Sequence, residues 1–157
     1  MSVWEPRSPS KFLKSVGSTD DPVALDWMDS APQELSVIHF SKDPSIRTGD
    51  YLVYYAAVHQ KLYGIVEIFT PPEFDAQLTR WQYFAPVRPK LVIRHLQRAP
   101  NVDVLNVPGR RDFRKTVRQM DYAVLTEAEY DRALQAIDAA IDESLGDVRD
   151  PRFNVER

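Results

Sequence analysis

Two neighbouring stretches, residues 49–55 (GDYLVYY) and 62–68 (LYGIVEI), decide the fold class of this chain. Both runs are rich in aromatic and β-branched residues, a composition typical of strands that are covered on both faces. Gly49 and Asp50 mark a tight turn before the first run, and residues 56–61 connect the two. Because this connection is longer than a tight hairpin needs, we predict a hairpin whose loop hangs over the mouth of a pocket.

Further strands are expected on both sides of this hairpin. Residues 11–16 are predicted to form the first strand, which ends at Gly17-Ser18, and residues 36–40 a second one. Residues 81–85 and 91–93 are predicted strand segments, and the prolines between them favour an edge or a bulge over a central strand. We also predict a short helix from Asp21-Pro22, a helical turn within 74–79 and irregular chain over 102–107.

A C-terminal amphipathic helix is indicated by caps and by apolar spacing. Thr126 and Glu129 form the pattern of a capping box, and Gly146 is placed to end the helix. Apolar side chains recur between them at helical spacing: Tyr130, Leu134, Ile137, Ile141 and Leu145. The expected organisation is therefore a flexible arm (1–10), one domain (11–146) and a polar tail (147–157).

Length and composition favour one cytoplasmic globular domain. The chain has 157 residues, 43% of them hydrophobic, which suits a single core. With no cysteine it has neither disulfides nor thiolate chemistry. No apolar leader is seen at the N-terminus, and no stretch is apolar enough to span a membrane. We therefore expect a cytoplasmic location and no membrane partner.

Charge is segregated along the chain although the formal net charge is only -3. Residues 80–119 carry ten Lys or Arg against two acids, whereas residues 121–150 carry nine acids against two Arg. Because phosphate affinity depends on local potential, this pattern predicts a basic face for a polyanion and an acidic helix elsewhere. Two solvated surfaces of opposite sign would give the same pattern.

Motifs for catalysis, cofactors or metals are absent from the sequence. Five glycines form no phosphate-binding loop, and no nucleophile motif can be written. His39, His59 and His95 are far apart in sequence and lack a second ligand at metal spacing. We predict no catalytic residue, no cofactor and no metal site. Aromatic residues interleaved with basic ones do stand out, and among these Trp81 and His59 are the best candidates for contact with a base.

In order and spacing, these motifs resemble the EVE domain family of the PUA-like superfamily, which is related to YTH and ASCH domains. The resemblance covers about residues 11–141 and rests on these segments: 12–18, 49–55, 64–68, 81–87, 113–119 and 125–129. It implies an α+β fold, a PUA-like mixed β-barrel of about five to six strands flanked by short helices and the C-terminal helix. It also implies a non-enzymatic module that reads one base in DNA or RNA, either unmodified or modified, for example 5-substituted cytosine.

The resemblance also implies site residues. The aromatic base pocket would use Ser15, Gly17, Ser18, Trp27, Phe40, Tyr55, His59 and Trp81. Phosphates would be held by Arg114, Lys115 and Arg118.

Two other functions stay open at this point. An ASCH-like small enzyme acting on RNA or a nucleoside would use Lys14, Tyr55 or Glu67. Alternatively, the acidic helix and the basic face could pair between chains, which would make a self-associating protein or one that binds an effector partner.

Overall fold

The structure, a computed structural model, describes residues 9–18, 20–30, 32–105, 113 and 121–156. Within these ranges lie eight strands: β1 (Lys11–Val16), β2 (Val37–Phe40), β3 (Tyr51–Ala56), β4 (Lys61–Ile68), β5 (Glu73–Phe74), β6 (Tyr83–Val92), β7 (Tyr122–Leu125) and β8 (Val148–Arg149). The helices are α1 (Trp27–Ser30), α2 (Glu127–Ala140) and 3₁₀ helices at Pro32–Leu35, Leu96–Arg98, Val102–Leu105 and Glu143–Leu145. None of the helices in these ranges is both long and apolar enough to cross a membrane.

Six strands form a curled mixed sheet in the order β2-β6-β4-β3-β1-β7, and β5 and β8 pair with β6. The β1–β3 pairing is parallel, and the other pairings are antiparallel. The curl brings the end of β2 to the start of β7, where Ser41 N donates to Asp121 Oδ2 at 3.0 Å. Phe40 also contacts the Tyr122 ring edge to face, with centroids 5.8 Å apart. The sheet is thus a half-barrel, as the α+β prediction requires.

The β3–β4 hairpin forms the centre of the core, as predicted. Leu52, Val53 and Tyr54 are fully buried, and β4 is buried along nearly its whole length. Gly49 has a φ of 92°, a left-handed backbone that glycine adopts without steric cost in the turn before β3.

The C-terminal helix α2 begins with the predicted capping box. Thr126 Oγ1 accepts from Glu129 N at 3.1 Å, and Thr126 N donates to Glu129 Oε1 at 2.8 Å. The helix ends at Ala140, and Gly146 ends the separate 3₁₀ helix that follows, with a φ of 90°. Its buried residues Tyr130, Ala133 and Ile137 join the core.

Of the two alternatives predicted for the proline-containing segments, an edge or a bulge, the structure has the bulge, but it lies in an interior strand and not outside the centre of the sheet. The segments form one interior strand, β6, whose first half pairs with β2 and β5 and whose second half pairs with β4 and β8. The register of β4 against β6 shifts between Ile65 and Val66, opposite Pro89. A bulge at this point accommodates a residue that has no N–H to donate.

Two predicted helical segments are also different in the structure. The chain after Asp21 is irregular as far as Trp27, because Ser18 and Asp21 close a turn and Leu96 N donates to Leu25 O at 3.0 Å. Residues 73–74 are strand β5, and the Asp75 carboxylate then accepts from Gln77 N at 3.0 Å and closes a turn. The segment predicted as irregular contains the 3₁₀ helix Val102–Leu105.

Residues predicted as a polar tail pack against the sheet in the part that the structure describes. Val148 and Arg149 pair with Val92 and Leu91 of β6. Asp150 N donates to Lys90 O at 2.9 Å, and its carboxylate accepts from Lys90 Nζ at 3.0 Å. The predicted arm lies outside the described residues, apart from residues 9 and 10.

Candidate functional site

A cavity of about 580 Å³ opens where the end of β1 meets β2 and the turn before β6. It is lined by residues 14–17, 21–24 and 37–39, and by Trp27, Gln33, Glu34, Leu78, Arg80, Trp81 and Asp121. The parallel β1–β3 pairing leaves the C-terminal end of β1 at this side of the sheet. The lining residues come from four parts of the chain: 14–27, 33–39, 78–81 and Asp121.

One wall carries a buried ion pair. Lys14 Nζ donates to Asp121 Oδ1 at 2.9 Å and to Ser15 O at 2.7 Å, and it lies 5.2 Å from the centre of the Phe40 ring. Burial lowers the pKa of Lys14, while the Asp121 carboxylate acts in the opposite direction. The pKa of nearby His39 is also lowered, first by burial and then by the charge of Lys14.

Glu34, in the 3₁₀ helix Pro32–Leu35, forms a second polar part of the wall. Its main-chain oxygen accepts from the Tyr54 hydroxyl at 2.8 Å. Its Oε2 is buried and has no hydrogen-bond partner in the part of the chain that the structure describes. Burial raises the pKa of this carboxyl, and the Asp21 charge adds to the rise, whereas a backbone hydrogen bond and Lys14 oppose it.

Two tryptophans face the cavity from different depths. Trp27 is 2% exposed, its Nε1 donates to Ile93 O at 3.2 Å, and its ring meets Tyr63 edge to face. Trp81 is 37% exposed and has a φ of 49°, a strained value for a bulky residue. The Arg80 guanidinium lies 4.8 Å from the centre of its ring. The site therefore has one fixed indole in its wall and one accessible indole beside a cation.

Four of the predicted pocket residues come together in this cavity: Ser15, Gly17, Trp27 and Trp81. Gly17 has a φ of 79°, and a Cβ at this position would lie 2.9 Å from Val23 N. Any residue other than glycine would therefore require the chain around position 17 to rearrange.

The other four predicted pocket residues do not line it. Ser18 Oγ accepts from Asp21 N at 3.1 Å in the adjoining turn. Phe40 and Tyr55 are buried in the core: Phe40 lies on the buried face of β2, and Tyr55 lies in β3, which is buried from Leu52 to Ala56. His59 Nε2 is 2.9 Å from Val23 O, and its hairpin loop contributes no residue to the lining.

Sequence reasoning missed Glu34 and Asp121 and named Lys14 only for the enzyme alternative. A lysine at an interior position of a predicted strand could have indicated an acidic partner. Which acid it is depends on the fold, since Asp121 lies 107 residues away. Of the other enzyme candidates, Tyr55 is in the core, and Glu67 lies 3.6 Å from Lys90, away from the cavity lining.

The phosphate candidates Arg114, Lys115 and Arg118 lie outside the described residues. Five other cations of the basic segment are described, and three of them have carboxylate partners: Lys90 with Asp150, Arg94 with Asp29, and Arg98 with Asp147. The other two, Arg80 and Arg88, stack over the rings of Trp81 and Phe69. Among described residues, no group of three or more His, Asp or Glu could hold a metal ion.

No family model matches the chain, and no curated protein does. Solved structures do match. Protein Atu2648 from Agrobacterium tumefaciens is 13% identical, with a TM-score of 0.55 over 83% of this chain and 92% of its own. Human THYN1 protein in complex with 5-methylcytosine containing DNA is 10% identical, with a TM-score of 0.51 over 85% of this chain and 98% of its own.

A third match is the YTH domain of the Zygosaccharomyces rouxii MRB1 protein in complex with N6-methyladenosine RNA. It is 12% identical, with a TM-score of 0.50 over 85% of this chain and 90% of its own. At such identities the likeness concerns the fold. The curled mixed sheet, its few helices and these neighbours together show that this chain has the PUA-like fold.

Proposed function

We propose that this protein binds DNA or RNA and takes a single base, unmodified or modified, into the cavity beside Trp27 and Trp81. The observation that carries the proposal is the cavity itself, which combines an accessible indole, a buried indole and polar groups in one space of about 580 Å³. Small-molecule sites typically have volumes of about 300–1,000 Å³ and combine apolar walls with a few polar groups. A planar base that needs both stacking and hydrogen bonds suits such a site.

The structural neighbours support this choice of ligand. One neighbour is bound to DNA that contains 5-methylcytosine, and another to RNA that contains N6-methyladenosine. We propose that this chain belongs to the EVE branch of the PUA-like superfamily and reads a modified base such as 5-substituted cytosine. It would act in the cytoplasm as a binding module with no catalytic step.

The energetics depend mainly on Trp81 and its neighbour Arg80. Removing a base from a stacked strand costs a few kcal/mol. Stacking on an aromatic ring returns about 1–3 kcal/mol per base, and a neighbouring arginine can contact the phosphate. Strain at a non-glycine residue with positive φ often marks a functional position, so the backbone of Trp81 is consistent with this role.

The test is fluorescence anisotropy with labelled single-stranded oligonucleotides at two salt concentrations. The central position would carry cytosine, 5-methylcytosine or an abasic site. We expect the cytosine strands to bind more tightly than the abasic strand at both salt concentrations, because stacking is less sensitive to salt than phosphate contacts are.

Trp81→Ala should weaken binding of the cytosine strands about tenfold, since it removes the stacking surface. Phe74→Ala is the matched control, because Phe74 is an exposed aromatic residue (55%) that does not line the cavity. Equal affinities of wild type, Trp81→Ala and Phe74→Ala would contradict the proposal. Product release from RNA or an N-acyl nucleoside would instead favour the enzyme alternative.

A further inference from the structure

The cavity wall contains an acceptor that no described group satisfies. Glu34 Oε2 is buried without a hydrogen-bond partner in the described ranges. Buried polar oxygens are nearly always hydrogen-bonded in folded proteins, and an unpaired one is destabilising. Oε2 itself is closed to solvent, but Glu34 lines the cavity, so a change of its side-chain rotamer can present the carboxylate to a molecule bound there.

Two polar neighbours of Glu34 donate elsewhere, and the buried Tyr63 hydroxyl, which also has no partner among described residues, does not bond to it. Lys14 on β1 donates to Asp121 and to Ser15 O. The Tyr54 hydroxyl donates to the main-chain oxygen of Glu34 and not to its carboxylate. Burial raises the pKa of the Glu34 carboxyl and the Asp21 charge adds to the rise, whereas a hydrogen bond from its own backbone and the charge of Lys14 oppose it.

We propose that Glu34 determines base specificity by accepting a hydrogen bond from the exocyclic amino group of the bound base. This inference rests on the proposed function of the cavity. An ionised carboxylate only accepts hydrogen bonds, so it favours an amino group and opposes a carbonyl oxygen at the same place. The ligand class is therefore an amino-bearing base, and an analogue with a carbonyl oxygen or a hydrogen there is disfavoured.

The experiment compares bases that differ only at the amino group. One labelled single strand would carry cytosine, uracil, adenine, guanine or hypoxanthine at its central position, with an abasic strand as reference. Cytosine against uracil tests the pyrimidine amino group, while adenine and guanine against hypoxanthine test the two purine positions. We expect the wild-type protein to prefer one amino-bearing base over its partner by about tenfold.

Two variants separate the role of the carboxylate from its volume. Glu34→Gln keeps the size of the side chain but offers both a donor and an acceptor. The ratio of affinities for the amino-bearing base and its partner should therefore fall close to one. Glu34→Leu removes both hydrogen-bonding groups and should also abolish the preference. Glu73→Gln is the charge-matched control, since Glu73 is exposed on β5 and does not line the cavity, and it should keep the wild-type preference.

The outcomes distinguish this inference from the proposed function. A wild-type protein that binds all five bases equally, but more tightly than the abasic strand, overturns the role of Glu34 and leaves the function standing. A preference for the amino-bearing base that persists unchanged in Glu34→Gln or Glu34→Leu also overturns the role of Glu34 and leaves the proposed function standing. If the abasic strand binds as tightly as the others and Trp81→Ala has no effect, the proposed function fails and this inference fails with it.

Discussion

At the scale of single residues, the buried Lys14–Asp121 pair is the most consequential polar contact of the cavity wall. The side chain of Lys14 is 4% exposed and that of Asp121 is 16% exposed. An ammonium group is costly to bury unless its charge is balanced, so the pair stabilises a polar wall inside an otherwise apolar barrel. Asp121 also accepts from Ser41 N and thereby ties β2 to β7.

We predict that Asp121→Asn lowers the free energy of unfolding at pH 7 by about 3–5 kcal/mol, because it leaves a buried ammonium without its counter-ion. Asp121 opposes the lowering of the Lys14 pKa, so its removal lowers that pKa further. The unfolded chain then holds a proton that the folded chain has lost, and stability rises with pH in that range. The deficit relative to wild type should therefore shrink between pH 7 and pH 9.5 in urea unfolding.

The matched control for this prediction is Glu127→Gln, which removes the partner of the other β1 lysine, Lys11. The Glu127 side chain is 77% exposed, and such pairs contribute about 0–1 kcal/mol. A loss of similar size in both variants would contradict the importance of burial at Lys14.

At the scale of secondary-structure elements, β1 connects the core to the cavity. It pairs with β3 on one side and β7 on the other, and its last residues form the cavity wall. Helix α2 has a different role, since it packs into the core and supplies no residue to the lining. Changes to this helix should therefore affect stability without affecting the cavity.

We predict that Thr126→Ala lowers the free energy of unfolding by about 1 kcal/mol, because it removes the side-chain acceptor for Glu129 N. Urea unfolding would measure this loss, and anisotropy should show unchanged oligonucleotide binding. Thr126→Ser retains the hydroxyl and should stay near wild type. Weaker binding in Thr126→Ala, with the protein still folded, would show that the helix affects the cavity.

At the scale of the whole molecule, charges that are separated along the chain are brought together by the fold. Arg98 from the basic segment pairs with Asp147 from the acidic one, and Lys90 pairs with Asp150. Much of the basic excess among described residues is thus neutralised within the chain, and Arg80 remains beside the cavity. The Lys90–Asp150 pair and a hydrogen bond from Arg94 N to Asp147 Oδ1 hold residues 147–150 against the sheet.

We predict that Asp147→Asn lowers the free energy of unfolding by about 1.5–3 kcal/mol at pH 7, because the buried Asp147 carboxylate accepts charge-assisted hydrogen bonds from Arg98, whose own side chain is 28% exposed. Burial alone would raise its pKa, but hydrogen bonds from Arg98 and from the backbone of Arg94 and Asp142 outweigh it and lower the pKa. This stabilisation is present above the ordinary pKa of an aspartate and is lost as pH falls through the lower folded value.

Urea unfolding at neutral and acidic pH would measure that dependence, and the gap between Asp147→Asn and wild type should narrow in acid. Asp131→Asn, at an exposed position of α2, should differ little from wild type at either pH. A gap that stays constant with pH would exclude the carboxylate of Asp147 as its cause.

The sequence by itself determined the elements whose signals are local. Strands β3 and β4 follow from runs of aromatic and β-branched residues, and the start of α2 follows from its capping box. Together with the other segments that resemble the EVE family, they were enough to predict the PUA-like fold. The start of α1 and the interior position of β6 were mispredicted, because distant backbone hydrogen bonds and neighbouring strands override local preference there.

Only the tertiary structure decided the composition of the cavity. Ser15, Gly17, Trp27 and Trp81 were predicted to meet, and they do, whereas Phe40 is buried on the inner face of β2 and Tyr55 in the covered strand β3. Glu34 and Asp121 carry no local signal, since each acquires its role from groups far away in sequence. Strand pairing and burial therefore determine which polar side chains face the cavity. A pattern along the sequence cannot predict this, because the groups that meet are far apart in the chain.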